Sequence, residues 1–345
     1  MFRAEIEVTN HCNIRCAHCP HESVTRPKGM MTWETFETVS SKIRNHVGGE
    51  RYALSFSGMG EPLLNPELYR FISAVSAEAS TSFATNGSAL NETNVRKLID
   101  AGLDSIFLSI NGDDADVFSR MMGGLSIDRV MTNVRGAVAS ARGTPLKVKA
   151  NVSITRINRD RVTRIREMVE AQGVAPVTFS LCHSRGGNLK DADICDTPAA
   201  PIDAWPCDVL ENTLFVDWRG RAYICDHDIH GEHELGDLAV EPLATILERK
   251  RQLLDKGVSL EICRNCNDVM RIGGSELLPG GRGGVFRDWL YDLHRSDYKP
   301  LSAANPALRW IYGIYEKEGR TDRFVNRLLE ADRSLHDEHE RMKTA

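Results

Sequence analysis

Nowhere does the sequence carry an apolar run near the roughly 20 residues that cross a bilayer as a helix, so no membrane span is expected. It also lacks a basic excess. Lys and Arg number 43 against 48 Asp and Glu, a net charge of −5, which leaves no electrostatic footprint for nucleic acid and favours neutral or cationic small molecules. The opening residues MFRA lead straight into a strand-like stretch with no leader pattern, and a soluble, cytoplasmic protein is expected. Cysteine, by contrast, is plentiful: nine in 345 residues, most of them clustered. In a reducing cytoplasm closely spaced thiols hold metal more often than they pair as disulfides. With 41% hydrophobic residues the chain buries enough for one catalytic domain plus a smaller appended unit.

Short β-branched and apolar runs at 3–9, 52–57, 81–85, 105–110, 147–154 and 177–181 alternate with amphipathic segments at 32–47, 66–78, 92–101, 127–142 and 159–172. That rhythm predicts an α/β fold over residues 1–190, a partial (β/α)6 barrel with an open α/β sheet as the alternative. Chemistry in parallel barrels sits at the C-terminal strand ends, so the loops 10–22, 58–63, 85–87 and 182–187 are expected to share one rim. After Asp191 the rhythm changes. Cys207, the hairpin-like LFVDWRGRAYIC and then CRNC predict a small metal-stabilised unit over 191–284, because so short a segment buries little core by itself. GGSELLPGGRGG at 273–284 reads as a flexible connector; no strand–glycine–helix order makes it a dinucleotide loop. A charged helical extension is expected over 285–345, with Leu308, Ile311, Tyr312 and Tyr315 on one face, packed on the barrel or on a second subunit.

Cys12, Cys16 and Cys19 form C-x3-C-x2-C just after the first strand. Three thiolates this close converge on one iron–sulfur cube and leave its fourth iron open to a substrate or cofactor. A zinc site completed by His11 or His18 uses the same spacing. The second strand ends in SFSGMGEPLLNP, which contains Gly58, Gly60 and Glu61; Thr85 and Asn86 follow the third strand, Ser109 and Asn111 end the fourth, and Ser153 lies on the fifth. Turn formation and helix capping are alternative roles for these polar residues.

NHCNIRCAHCP followed by the GMGE element resembles the radical S-adenosylmethionine superfamily over about residues 3–182. The resemblance implies a [4Fe–4S] cluster on Cys12, Cys16 and Cys19 whose open iron is chelated by the cofactor's amino and carboxylate groups. Gly60 would let the backbone approach the methionyl group, and Glu61 would accept a hydrogen bond from the amino group. Thr85, Asn86, Ser109, Asn111 and Ser153 fall where the family places polar groups near ribose and carboxylate. His18 stands where the family usually has an aromatic ring near the adenine. A flavodoxin- or ferredoxin-type electron donor is implied as well.

Cys207, Cys225, Cys263 and Cys266 give C-x17-C-x37-C-x2-C, a set able to close a zinc site or ligate a cubane cluster. Behind such a core it resembles the twitch domain, a shortened SPASM module with one auxiliary [4Fe–4S] cluster, so two [4Fe–4S] clusters and S-adenosyl-L-methionine are the cofactors expected. The further cysteines of full SPASM modules are missing, which argues against a peptide maturase and for the twitch enzymes that oxidise or epimerise aminocyclitols and sugars in antibiotic biosynthesis. Cys195, among Asp191, Asp193 and Asp196, reads as part of an exposed loop, with replacement of one of the four as the alternative.

Cys182 ends the sixth strand, VTFSLC, and is expected on the rim. A thiol there returns hydrogen to a substrate radical from the opposite face and inverts the centre; loss of an electron and a hydroxyl proton gives a ketone instead. Packing as a small buried hydrophobe is the other role open to it. The arrangement most resembles the radical epimerases of the hygromycin B type, which implies inversion of a carbinol carbon in an aminocyclitol glycoside. The rivals are an alcohol dehydrogenase of the same architecture and, in a different class, a zinc-stabilised binding module.

Overall fold

The computed structural model describes residues 2–189, 194–195, 207–255, 260–266 and 268. The expected connector at 273–284 and the extension at 285–345 lie outside the described residues. Six strands, β1 (Arg3–Ile6), β2 (Tyr52–Ser55), β3 (Ala79–Thr85), β4 (Ser105–Ser109), β5 (Lys147–Ile154) and β6 (Val177–Leu181), lie side by side in sequence order, all parallel. They sit where the apolar runs placed them. Helices α1 (Trp33–Val47), α2 (Leu68–Val75), α3 (Glu92–Asp100), α4 (Ala115–Met121), α5 (Ile127–Ala141) and α6 (Val162–Glu170) connect them, giving the α/β partial-barrel core that the alternation predicts. Only α4, seven residues long, has too little periodicity to announce itself.

Local chemistry starts these helices. The side chains of Thr32, Asn91, Asp114 and Ser126 each accept the backbone N–H three residues on, satisfying a donor that the first turn leaves orphaned. Gly48, at φ 62°, closes α1 in the left-handed conformation that glycine adopts without strain. Between helices and sheet Phe36, Phe56, Phe71, Phe83 and Phe118 are fully buried, with Phe36 and Phe71 stacked at 4.4 Å between centroids. No helix among the described residues is long and apolar enough to cross a membrane.

The second cysteine region begins by extending the core sheet. β7 (Thr213–Val216), preceded by the short helix α7 (Asp208–Asn212), pairs in parallel with β1, and β8 (Arg221–Tyr223) and β9 (Glu234–Asp237) follow antiparallel. One nine-stranded sheet results, in the order β6-β5-β4-β3-β2-β1-β7-β8-β9. The reason is burial on both faces: Leu214, Phe215 and Val216 are each at most 2% exposed, which an isolated hairpin cannot provide. Helices α8 (Leu243–Asp255) and α9 (Glu261–Arg264) complete the described chain.

A buried ion network fastens this seam. Arg26 donates from both terminal nitrogens to the carboxylate of Glu7, at 2.9 and 3.1 Å, and reaches Asp217, just after β7, at 3.4 Å. Glu7 also accepts from the Met59 N–H, and Arg219 pairs with Asp217 at 2.8 Å. Burial pushes the Glu7 carboxyl up, and Arg26 pulls it back toward the charged form.

Candidate functional site

The loop after β1 is held before any cofactor enters. Thr9 Oγ1 donates to Gly29 O (2.8 Å), Asn10 Nδ2 to Pro27 O (2.9 Å), and the Gly29 N–H returns to Asn10 Oδ1 (2.9 Å), closing the 10–29 segment on itself. Within it Cys12, Cys16 and Cys19 face one another's charge. Burial pushes all three thiols up, Cys16 furthest, and for Cys12 and Cys16 the neighbouring thiolates and Glu61 add to the rise. A cationic metal centre reverses that preference by binding the thiolate forms.

His18, in the same loop, has its Nδ1 buried with no hydrogen-bond partner among the described residues. Burial, helped by the charge of Arg185, lowers its pKa to about 4, so the ring is neutral. A buried ring nitrogen left idle is the mark of a place where a bound group belongs. The thiol set and this ring together fit an iron–sulfur cluster with a cofactor beside it.

Glu61 is the hub of the neighbouring loops. It is 2% exposed; its Oε1 accepts from Thr85 Oγ1 (2.8 Å) and the Leu63 N–H (3.3 Å), and its Oε2 accepts from the Asn86 N–H (2.9 Å). The Glu61 N–H donates to His11 O at 2.8 Å, and a Cβ added at Gly60 would lie 2.1 Å from Thr9 O, so only glycine lets the two backbones pass. Gly58 is equally confined, against the Glu7 side chain. Asn86 Nδ2 in turn donates to Asn13 Oδ1 (2.9 Å). The structure thus brings Gly60, Glu61, Thr85 and Asn86 onto the cysteine loop.

Ser109 and Asn111 lie further along the rim. Ser109 is half-buried at the end of β4, opposite Asn151. Asn111 is fully buried; its amide accepts from the Ser153 N–H at 2.8 Å and donates to Met122 Sδ, which ties both residues into the wall between β4 and β5.

Cys182 directly follows β6, is 5% exposed, and donates its N–H to Ile154 O (2.8 Å). Cys195 is not in an exposed loop. It is 3% exposed, with its Sγ 2.7 Å from Cys182 Sγ. The aspartates around it suggest solvent, but the Arg156 N–H donates to Ile194 O (2.9 Å) and draws the segment onto the end of β5.

The loop 183–188 runs between the two cysteine sets. Arg185, at φ 53°, acts on Cys19 and His18, while a Cβ on Gly186 would lie 2.6 Å from Ile262 Cγ1 in α9, the residue before Cys263. Ser184 Oγ donates to Asn265 O (2.6 Å) and His183 Nε2 lies 3.3 Å from Asp268 Oδ2. The His183 and His227 rings are 4.9 Å apart, and His227 Nδ1 is 3.6 Å from Cys266 Sγ. Burial lowers the Lys250 ammonium to about 8, although the charges of Cys225, Cys207 and Asp226 favour its protonated form. A cationic side chain beside two thiols suits a site whose bound group carries negative charge.

The ion network of Glu7, Arg26 and Asp217 and the His183–Asp268 and His227–Cys266 contacts have no spacing motif to reveal them. The one available signal was charge in an apolar context, as at Glu7 between Ile6 and Val8.

Residues 6–151 match the family model of the radical SAM superfamily, and residues 207–267 match that of the iron–sulfur cluster-binding domain SPASM. The chain thus carries a radical SAM domain and, behind it, a SPASM-type domain; S-adenosylmethionine and iron–sulfur clusters are its cofactors. Among sequence relatives, a probable GTP 3',8-cyclase of Methanothermobacter marburgensis is 25% identical over 232 residues, 65% of this chain and 73% of the relative. Further GTP 3',8-cyclases match over about half their own length. Of solved structures, BtrN in complex with AdoMet and 2-DOIA has a TM-score of 0.54 at 21% identity, covering 78% of this chain and 94% of that one. Native anSMEcpe with bound AdoMet has a TM-score of 0.59 at 13% identity, covering 90% and 99%. At such identities these likenesses speak for the fold.

Proposed function

We propose that this radical SAM enzyme is an epimerase that inverts a carbinol carbon of an aminocyclitol or aminoglycoside sugar in antibiotic biosynthesis, with Cys182 as the hydrogen donor. In this reading Cys12, Cys16 and Cys19 hold one [4Fe–4S] cluster, Cys207, Cys225, Cys263 and Cys266 a second, and the domains run 1–190, 191–284 and 285–345. When bound, the cluster and S-adenosylmethionine supply a 5'-deoxyadenosyl radical able to take hydrogen from a C–H bond.

The chain's own residues do the rest. Glu61, already fixed by Thr85 and Asn86, presents its remaining acceptor capacity to the cofactor's amino group. His18 lends its idle Nδ1 to the adenine side, and Gly60 keeps the backbone close. Ser109, Asn111 and Ser153 shape the wall beside them. Cys182 delivers its Sγ hydrogen to the carbon face opposite the one that lost hydrogen.

One observation carries the reading: a buried cysteine that belongs to neither cluster motif sits at the end of β6, beside the loop that touches both. The likeness to BtrN, a structure holding an aminocyclitol-type ligand beside AdoMet, favours an alcohol dehydrogenase as the second reading. A flavodoxin- or ferredoxin-type protein is the proposed electron donor.

The test is to incubate the reduced enzyme with candidate aminocyclitol glycosides in heavy water. Inversion through Cys182 gives an epimer heavier by one deuterium; oxidation gives a ketone lighter by two hydrogens. A ketone from the parent enzyme, with no labelled epimer, would overturn the epimerase reading.

A further inference from the structure

Seven of the nine cysteines fall in the two spaced motifs; the remaining two, Cys182 and Cys195, lie against each other. Their contact is built from two separate anchors. The Cys182 N–H bonds Ile154 O at the last residue of β5, and two residues on the Arg156 N–H bonds Ile194 O, so both cysteine-bearing segments hang from one strand end. At 5% and 3% exposure both thiols are shielded from solvent, so an oxidising equivalent generated inside the protein reaches them ahead of external oxidants, and exchange with external dithiols is slow.

We propose that Cys182 and Cys195 form a dithiol/disulfide couple in which Cys195 closes an S–S bond with Cys182 after Cys182 has given up its hydrogen. This rests on the epimerase reading above. In the first step a C–H bond forms on the substrate carbon, the Cys182 S–H bond breaks, and the Cys182 sulfur is left one electron short. In the second the Cys195 S–H bond breaks, its proton leaves to solvent, the S–S bond forms, and the surplus electron passes to a one-electron acceptor of the iron–sulfur class. Two electrons and two protons from a dithiol reductant of the thioredoxin class then restore both thiols. Cys195 accordingly keeps a reactive sulfur radical from lingering beside the product and limits return abstraction.

The experiment has two arms on the full-length holoenzyme. In the first, anaerobic protein is equilibrated across a series of reduced to oxidised dithiothreitol, unfolded in an alkylating reagent and cut with trypsin. Cleavage at Arg185 and Lys190 separates the two cysteines, so a bonded pair appears as two linked peptides. The parent is expected to shift from two alkylated peptides to one linked pair, whereas Cys195→Ser and Cys195→Ala leave Cys182 alkylated throughout. A parent that alkylates at both positions at every ratio overturns the couple. In the second arm, a single turnover with substrate and no dithiol is expected to leave one linked pair per deuterated epimer in the parent. Cys195→Ser should complete a first labelled turnover with no linked pair. Epimer without linkage in the parent sinks the couple and leaves the epimerase reading standing; linkage across the redox series with no epimer from any glycoside sinks that reading and the radical step, and leaves only a thermodynamic dithiol.

Discussion

The two cysteine sets are built on opposite plans. The first hangs on a loop that β1, the Gly60 passage, Glu61 and Asn86 fix through backbone and side-chain hydrogen bonds, so its ligands are positioned by the parallel sheet itself. The second draws Cys207 and Cys225 from either side of a hairpin, Cys263 from a four-residue helix and Cys266 from just beyond it, in a segment that touches the loop after β6. A site of the first kind keeps its shape without metal; one of the second kind gains its shape when metal binds.

Removing each set in turn gives the largest expected effect. Replacing Cys12, Cys16 and Cys19 together by Ala should remove about half of some eight irons and all S-adenosylmethionine cleavage, with little change in thermal unfolding. Replacing Cys263 and Cys266 should remove the other half and leave reductive cleavage measurable, while amide exchange in 207–225 and 260–266 rises sharply. Equal exchange in both variants, or cleavage that survives the first, would show that the contrast is wrong.

The seam between the two plans is the next place to press. Among the described residues Arg26 bridges Glu7 and Asp217, two carboxylates buried in low dielectric. Arg26→Met leaves one of them uncompensated and should cost roughly 3–5 kcal/mol in urea unfolding. Adding Glu7→Leu to that variant should recover part of the loss, because a buried pair replaced by apolar groups is often tolerated, and Asp217 keeps Arg219. A single Arg26→Met variant within about 0.5 kcal/mol of the parent, the usual range for surface changes, would mean that the seam is held by strand pairing alone.

How much of this was legible follows the same divide. Period-two and period-3.6 patterns located β5 and β6 to the residue and the other core strands to within a few, since each strand lies between helices that impose a burial pattern. Cysteine spacing and the GMGE element led to the rim, where Glu61, Thr85 and Asn86 do meet. The pairing of β7 with β1 was invisible, because TLFV is apolar whether it ends a small hairpin or extends a large sheet. The burial of Cys195 was hidden for the opposite reason: its neighbours are charged, and one backbone hydrogen bond from Arg156 decides where it lies.

The smallest effects separate two roles of Glu61. Its carboxylate braces the loops by accepting from Thr85 Oγ1, the Leu63 N–H and the Asn86 N–H, and in the proposed function it also receives the cofactor's amino group. Glu61→Gln keeps the size but turns one acceptor oxygen into an N–H2 group, facing donors on one side and an ammonium on the other. S-adenosylmethionine binding should weaken by about 1.5–3 kcal/mol, the range for hydrogen bonds to charged groups, or roughly 10- to 150-fold. Thr85→Val removes one brace and leaves the carboxylate. Its expected cost is about 1 kcal/mol of stability, with cofactor affinity changed by less than about threefold. Comparing the two by calorimetric titration on cluster-loaded protein decides between the roles. If Thr85→Val weakens binding as much as Glu61→Gln does, the carboxylate acts by holding the loops in place and makes no contact of its own; if only Glu61→Gln does so, the brace and the binding group are separate uses of one side chain.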